Sequence, residues 1–342
     1  MPILRKSPYD LGPAPTKYFV GRDDLLDLWR KRLTEGSQLW VNGENWLLLA
    51  PGGMGKTSLL ARMAEQAAAE HKAKPIWIDL GYLHDLRSPG DLRQVLVDGQ
   101  PPARKLGSRA RGWLGLRADA SASELGKALI ARLLEVVAGS VSHADWGGFG
   151  VELDVPVKSS SRAETTGVVA PLAEELSQFS LLSEEQRVPV VVLVDQVGKV
   201  HDDSQWLAIA RILVDLAETM RREGTTNVVF VLSMRPERRG RLEYDLRQSL
   251  ENESLFKCHF LSKFTSEEAV EAISRRGAGT MPAPLPQWIV DVVKDGDTVD
   301  PYLAQLGGLA VWKHLYGGAR QLSPGNLNRD DVIDLVRRPS LR

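Results

Sequence analysis

Hydrophobic positions follow two alternating patterns along most of this chain. Short, nearly continuous apolar runs predict strands buried in a sheet, at 46–50, 75–80, 188–196, 227–233 and 256–261. Between these runs, apolar residues recur at the spacing of one helix face, at 23–33, 57–70, 170–181 and 206–223. Because strand and helix alternate, we predict an α/β fold in which helices cover both faces of a parallel sheet.

The pattern changes after residue 262, where no further strand is predicted. The stretch Thr265 to Glu268 resembles a capping box, and helical spacing continues at 285–294, 302–316 and 328–336. Prolines within residues 1–17 predict an extended start. We therefore expect an extended segment at 1–17, an α/β domain at 18–262 and a small all-helical domain at 263–342.

A stretch at about 84–170 resembles an insert within the α/β domain. Its first part mixes Pro, Gly and Arg with little periodicity. Further along, 123–137 has the spacing of an amphipathic helix, 147–157 alternates like a strand, and 159–166 is polar like a loop. The hydrophobic pattern predicts the secondary structure of this insert less clearly than that of the rest of the chain.

Composition is that of a globular protein. The 342 residues are 43% hydrophobic and 25% charged, and the length favours more than one domain. The apolar runs are too short to span a bilayer and the first residues lack a signal core, so a cytoplasmic location without membrane attachment is expected. The only cysteine, Cys258, excludes an internal disulfide or a cysteine-based zinc site and is interpreted as a core thiol. A net charge of −1 gives no overall attraction to nucleic acid.

The segment Ala50 to Thr57 carries the clearest chemical signal. It lies between a predicted strand and a predicted helix and matches a phosphate-binding loop, except that Ala50 replaces the usual first glycine. In such a loop backbone N–H groups surround phosphate oxygens, Lys56 meets the β- and γ-phosphates, and Thr57 holds Mg²⁺. The candidate phosphate-binding residues are Pro51, Gly52, Gly53, Met54, Gly55, Lys56, Thr57 and Ser58.

An acidic residue, Asp195, lies near the end of the strand predicted at 188–196. Ligands of open α/β sheets bind at the carboxyl ends of the strands, so this carboxylate is the expected partner of Thr57 in holding Mg²⁺, directly or through water. The alternative is a solvated aspartate in the turn after the strand. The phosphate-binding loop upstream favours the metal-binding interpretation.

Together these segments resemble the additional-strand P-loop ATPases, namely the AAA+ proteins and especially STAND, the signal-transduction ATPases with numerous domains. The FVGR opening at 19–22 is similar to that of prokaryotic members. The resemblance implies ATP and Mg²⁺ as ligands, a helical lid, and an adenine pocket to which Phe19, Val20 and Arg22 contribute. Pro301 matches the lid proline near adenine, although Val299 stands where the lid motif has glycine.

The residue after Asp195 departs from the family pattern. The family usually has a glutamate that polarises the attacking water, whereas this chain has Gln196. An amide can hold a water but cannot accept its proton at neutral pH, so slow or absent hydrolysis is predicted. Asp79, Asp202 and Asp203 are candidates for the missing carboxylate.

Arg235 follows the fourth predicted strand and is similar to the arginine that senses the γ-phosphate in STAND proteins. With Lys56, Asp195 and Gln196 it completes the predicted catalytic set. Two other interpretations stay open: an arginine finger acting across an oligomer interface, and a partner of a surface acid.

Basic and aromatic residues add weaker signals. Arginines and a lysine cluster around Trp113 at 104–117, and arginines cluster again at 238–241. For both clusters a solvated loop is favoured over contact with nucleic-acid phosphates. Core packing is expected of Trp29, Trp46 and Trp77 and is favoured over a partner-facing role for Trp146 and Trp312.

The resemblance favours a Mg-ATP-binding switch whose lid reports the γ-phosphate to a separate effector protein or to another copy of the chain. Hydrolysis, where retained, would reset the switch. One alternative is a DNA-associated AAA+ ATPase similar to replication initiators or transposition regulators, so nucleic acid stays a partner that is not favoured. The other is an ATP-binding pseudo-enzyme that does not hydrolyse its ligand.

Overall fold

The structure is a computed structural model that describes a large part of the chain. The described residues are 7, 9, 16–34, 45–71, 73–79, 169–170, 173–174, 176–177, 189–195, 197, 203–225, 227–246, 249–250, 255–277, 280–317 and 323–337. Several predictions lie outside them: the elements at 123–137, 147–157 and 159–166, the basic cluster at 104–117, Trp113, Trp146, Gln196 and Asp202.

The chain divides into two compact units that do not follow sequence order. The first, here called the lid unit, comprises Met1–Asp24, Ala50–Arg62 and Leu261–Arg342. The second, the sheet unit, comprises Leu25–Leu49 and Met63–Phe260. The phosphate-binding loop therefore groups with the C-terminal helices, and the domain boundary expected at residue 262 stays a prediction.

A parallel sheet organises the sheet unit. Among the described residues its strands are β1 (Asn45–Leu49), β2 (Lys74–Asp79), β3 (Val190–Asp195), β4 (Val228–Met234) and β5 (Phe256–Phe260). All pairings are parallel, in the order β2-β3-β4-β1-β5. Because β4 lies between β1 and β3, the sheet has the additional strand that the resemblance implies, and the α/β prediction is confirmed.

The sheet is buried because its central strands are apolar except at Asn45, Asp195 and Ser233. Every residue of β1, β3 and β4 is buried, as expected for strands covered on both faces. Trp29 and Trp46 lie in the core as predicted, with their rings 5.4 Å apart and the Trp29 indole N–H donating to the Met63 carbonyl at 3.1 Å. Cys258 is half-buried against the core of the sheet unit.

The first helices match the sequence closely, with one correction. They are α1 (Asp23–Thr34), α2 (Lys56–His71), α3 (Asp203–Arg222) and α4 (Pro236–Leu246). The loop interpretation of the cluster at 238–241 is wrong, because these arginines belong to α4. Leu242 anchors this helix in the core, and Arg239 pairs with Glu243 at 3.2 Å. No described helix has the length and apolar character needed to cross a membrane.

The lid unit is mainly helical but also contains short strands. Its helices are α5 (Ser266–Gly277), α6 (Leu285–Val293), α7 (Pro301–Tyr316) and α8 (Arg329–Arg337). The expectation that strands end at residue 262 is wrong, since a small antiparallel sheet pairs β6 (Phe264–Thr265), β8 (Thr298–Val299) and β7 (Lys294–Asp295). Two-residue strands are too short for an alternating pattern to be visible in the sequence.

The capping box that starts α5 is confirmed. The Thr265 backbone N–H donates to Glu268 Oε2 at 2.8 Å, and the Glu268 backbone N–H donates to Thr265 Oγ1 at 3.2 Å. Trp312 is buried in the core of the lid unit, as the packing interpretation predicts.

Candidate functional site

The conformation of the glycine-rich loop requires glycine at two positions, Gly53 and Gly55, but not at Ala50. Gly53 and Gly55 have φ of +83° and +82°, in the left-handed region where a side chain is strained. At Gly53 an added Cβ would also lie 2.7 Å from Tyr302 Cβ, so the backbone approaches α7 closely. Ala50 is not among the described residues with positive φ, and alanine at this departure from the motif is therefore tolerated.

Positive charge is concentrated where the loop meets α2. The Lys56 ammonium donates to the carbonyls of Ala50 and Pro51, each at 2.6 Å, and so lies over the loop. The helix begins at Lys56 and has no acidic residue in its first turn. A helix N-terminus carries backbone N–H groups and the positive end of the helix dipole, so with Lys56 this end of α2 suits an anion.

A cavity of about 670 Å³ of empty space, including its open mouth, lies in the lid unit beside this loop. Three separate segments of the chain form it, and they are the three that make up the unit. The predicted site residues that line it are Phe19, Val20, Arg22, Gly53, Met54, Gly55, Ser58 and Pro301. Four predicted residues do not line it and lie along the loop and the start of α2: Pro51, Gly52, Lys56 and Thr57.

Other cavity residues escaped the sequence analysis. The aliphatic ones come from α5 and α7, and the aromatic ones come from the residues before α5 or from the start of the chain. Arg276 is a buried cation among them, with 7% of its surface exposed. The unpredicted lining residues are Tyr9, Tyr18, Phe264, Ala272, Ile273, Arg276, Ala304 and Gln305. The helical spacing of apolar residues in α5 and α7 predicted buried faces, but it did not show which buried residues pack in the core and which line a cavity.

Arg22 holds the opening motif in place. It follows Gly21 in a left-handed turn, with φ of +74° and +66° for the two residues. Its guanidinium donates to Ser262 Oγ at 3.0 Å and to the Ser262 carbonyl at 2.5 Å, and it lies 5.2 Å from the centre of the Phe264 ring. Burial lowers the pKa of Arg22, and the charge of Glu268 opposes this shift. The side chain thus connects residues 240 positions apart.

The sheet unit places the other predicted polar residues at the carboxyl ends of its strands. Asp195 is 1% exposed, and Ser233 Oγ donates to its Oδ1 at 2.5 Å. The Ser233 carbonyl in turn accepts from the Val197 N–H at 3.2 Å, which fixes the turn after β3. Asp79 is the register partner of Asp195 on β2. Arg235, next after β4, is exposed to solvent.

Comparison with known proteins supports the fold. The structure of Cdc6p from Pyrobaculum aerophilum superimposes with a TM-score of 0.50 over 91% of this chain, at 15% identity. The chain has the AAA+ P-loop ATPase fold. The chain spans 66% of the length of the Cdc6p chain. The ORC2 protein of Aeropyrum pernix gives a TM-score of 0.48 at 14% identity, over 94% of this chain and 70% of the other.

Sequence comparison adds little to the fold. No family model matches the chain. Polyketide synthase GfsA of Streptomyces halstedii is 33% identical over 92 residues, which are 25% of this chain and 1% of that protein. A match to so small a part of the synthase carries nothing of its activity to this chain.

Proposed function

We propose that this chain is a Mg-ATP-binding molecular switch of the STAND/AAA+ class. One observation carries the proposal: an apolar cavity opens beside a glycine loop with two left-handed residues, and the loop leads directly into a helix N-terminus. Apolar walls suit a nucleobase, whereas backbone N–H groups and Lys56 suit its phosphates. A nucleoside triphosphate presents both kinds of surface in one ligand.

Each protein group has a separate task in this proposal. Apolar lining residues such as Phe19, Val20 and Pro301 hold adenine, and the Lys56 ammonium exchanges its two carbonyl acceptors for β- and γ-phosphate oxygens. Thr57, half-buried in the first turn of α2, and Asp195 at the end of β3 offer the hard oxygen donors that Mg²⁺ prefers. Bound Mg²⁺ would neutralise charge on the triphosphate.

Signalling is the proposed output, and slow turnover follows from the residue beside Asp195. Gln196 can orient a water without accepting its proton, so ATP would persist long enough for its γ-phosphate to act as a signal. We propose that Arg235 senses this phosphate and that an effector protein or another copy of the chain receives the signal. The resemblance of the FVGR opening at 19–22 and of Arg235 to motifs of STAND proteins supports this output.

Nucleotide binding tests the proposal first. Fluorescent ATP, ADP and GTP analogues are titrated into the wild-type protein, the Lys56→Ala variant and a control, Lys313→Ala, which removes an exposed lysine of α7 outside the cavity. We expect ATP to bind more tightly than GTP. Lys56→Ala should weaken the binding of ATP, whereas Lys313→Ala should not. Equal affinity of wild type and Lys56→Ala for ATP would refute the proposal.

Turnover then separates the switch from its alternatives. We expect slow hydrolysis in the wild type and faster hydrolysis in Gln196→Glu, because a carboxylate can accept the proton of the attacking water. Stimulation by DNA would favour a DNA-associated ATPase instead. Tight binding without turnover in either protein would favour the non-hydrolysing alternative, and rapid wild-type turnover would contradict a slow switch.

A further inference from the structure

Tyr9, from the segment expected to be extended, is fully buried in the core of the lid unit. Its hydroxyl donates to the carbonyl of Ile273 on α5 at 2.7 Å, a contact between residues 264 positions apart. Burial raises the pKa of this phenol well above its ordinary value, so it stays a neutral donor across the physiological range. The N-terminal segment therefore contributes a side chain to the packing of the C-terminal helices.

The Tyr9 ring packs closely against α7. At Gly308 an added Cβ would lie 2.7 Å from both Cδ1 and Cε1 of Tyr9, so the helix backbone approaches the ring as closely as a glycine permits. The preceding Gly307 faces a different neighbour, since its Cβ would lie 2.6 Å from Cγ2 of Ile289. Adjacent glycines of one helix thus serve two separate contacts, and only one involves Tyr9.

Tyr9 also forms part of the wall of the cavity assigned to the nucleoside. Ile273 and Arg276 of α5 and Ala304 of α7 line the same cavity. The ring bonds to α5 and packs on α7, so it sets the spacing of the two helices that supply this wall. A shift of either helix would change the space available to a base, whereas the phosphate-binding loop lies at the start of α2.

We propose that Tyr9 is a positioning residue for the nucleoside: it fixes α5 against α7 and so sets the cavity that receives the base. This inference rests on the proposed nucleotide-binding function. It implies that the N-terminal segment is required for recognition of the base but not of the phosphates. Loss of the ring should therefore weaken the binding of ATP and of ADP by the same factor and weaken the binding of inorganic triphosphate much less, because α7 reaches the loop at Tyr302.

The experiment compares ligands that share only part of ATP. Dissociation constants for fluorescent ATP and ADP, and competition by inorganic triphosphate, are measured for the wild type, Tyr9→Ala and Tyr9→Phe. We expect Tyr9→Ala to weaken both nucleotides about tenfold or more, because a lost ring leaves a cavity that the helices fill by shifting. Tyr9→Phe keeps the ring and should bind more tightly than Tyr9→Ala, with a loss no greater than the roughly 2- to 12-fold equivalent of one hydrogen bond.

The glycines of α7 supply a second, independent pair. Gly308→Ala displaces the ring and should weaken both nucleotides, whereas Gly307→Ala presses on Ile289 and should affect binding less. If Tyr9→Ala fails to fold, the comparison of Gly308→Ala with Gly307→Ala tests the positioning role of Tyr9 instead. Equal weakening of nucleotides and inorganic triphosphate, or equal effects of the two glycine variants, would overturn the inference. Absence of Lys56-dependent ATP binding in the wild type would instead overturn the proposed function, and this inference with it.

Discussion

A methyl group added at two positions of the phosphate-binding loop should have unequal effects. Gly53 and Gly55 have nearly the same positive φ, so Gly53→Ala and Gly55→Ala share a backbone strain of about 1–2 kcal/mol. At Gly55 the added Cβ would meet nothing within 4 Å. At Gly53 it would lie 2.7 Å from Tyr302 Cβ, which cannot rotate away as the end of a flexible side chain could. Gly53→Ala therefore carries the same strain plus a steric cost.

Nucleotide affinity and stability measure this difference together. If the loop keeps its shape, the cost appears in the free energy of unfolding; if the loop rearranges, it appears in the dissociation constant for ATP. We expect Gly55→Ala to lose about 1–2 kcal/mol in total, in one of these measurements or divided between them. If the whole loss falls on binding, the dissociation constant for ATP rises roughly 5- to 30-fold. Gly53→Ala should lose more. Equal losses, or a greater loss for Gly55→Ala, would show that the approach of α7 to the loop is not as described.

Three further changes test single contacts. Thr265→Ala removes the cap of α5 and should cost about 1 kcal/mol in urea unfolding, with Thr265→Ser restoring most of it; no loss would contradict the capping box. Ser233→Ala removes the donor to Asp195 and should cost roughly 1–3 kcal/mol in the same assay, because a buried carboxylate oxygen loses its partner; unchanged stability would argue against this hydrogen bond. Burial raises the pKa of Tyr9, so as pH rises the unfolded phenol ionises first. The stability that Tyr9 contributes should be complete below about pH 10 and fall above it, and Tyr9→Phe should unfold with less dependence on alkaline pH.

The sequence predicted the elements whose signals are local. Nearly continuous apolar runs located every described strand of the parallel sheet, since strands buried on both faces are mostly apolar. The phosphate-binding loop was visible because Gly53 and Gly55 are needed for their own backbone conformation. The capping box of Thr265 and Glu268 is likewise complete within four residues.

Features that depend on distant partners were not visible in the same way. The burial of Tyr9 arises from α5 and α7, far away in sequence, and the prolines within residues 1–17 indicated only an extended chain. The helix α4 was missed because its arginines dominate the pattern, whereas Leu242 alone is buried. Grouping of the loop with the C-terminal helices follows from contacts that no local pattern records.

These distant contacts bear on how nucleotide would leave the site. If Gln196 makes hydrolysis slow, release of nucleotide rather than its cleavage sets the timing of the switch. We expect release to require that the segments around the cavity separate, and Arg22 connects two of them through its paired donors to Ser262. Lysine keeps the charge but has no planar fork, so Arg22→Lys should lose about 1.5 kcal/mol or more of this connection.

Arg22→Lys should therefore release fluorescent nucleotide about tenfold faster, the kinetic equivalent of that loss when it falls on the bound state. Displacement of the bound analogue by excess ATP in a stopped-flow experiment measures the rate directly. Arg329→Lys, an exposed change on α8, is the matched control. Since the hydrogen bonds of Arg22 go to Ser262 and its guanidinium lies over Phe264, both outside the loop, inorganic triphosphate should bind both variants as it binds the wild type. A release rate unchanged by Arg22→Lys would mean that the cavity opens without parting this contact, and hydrolysis would again be the step that limits the switch.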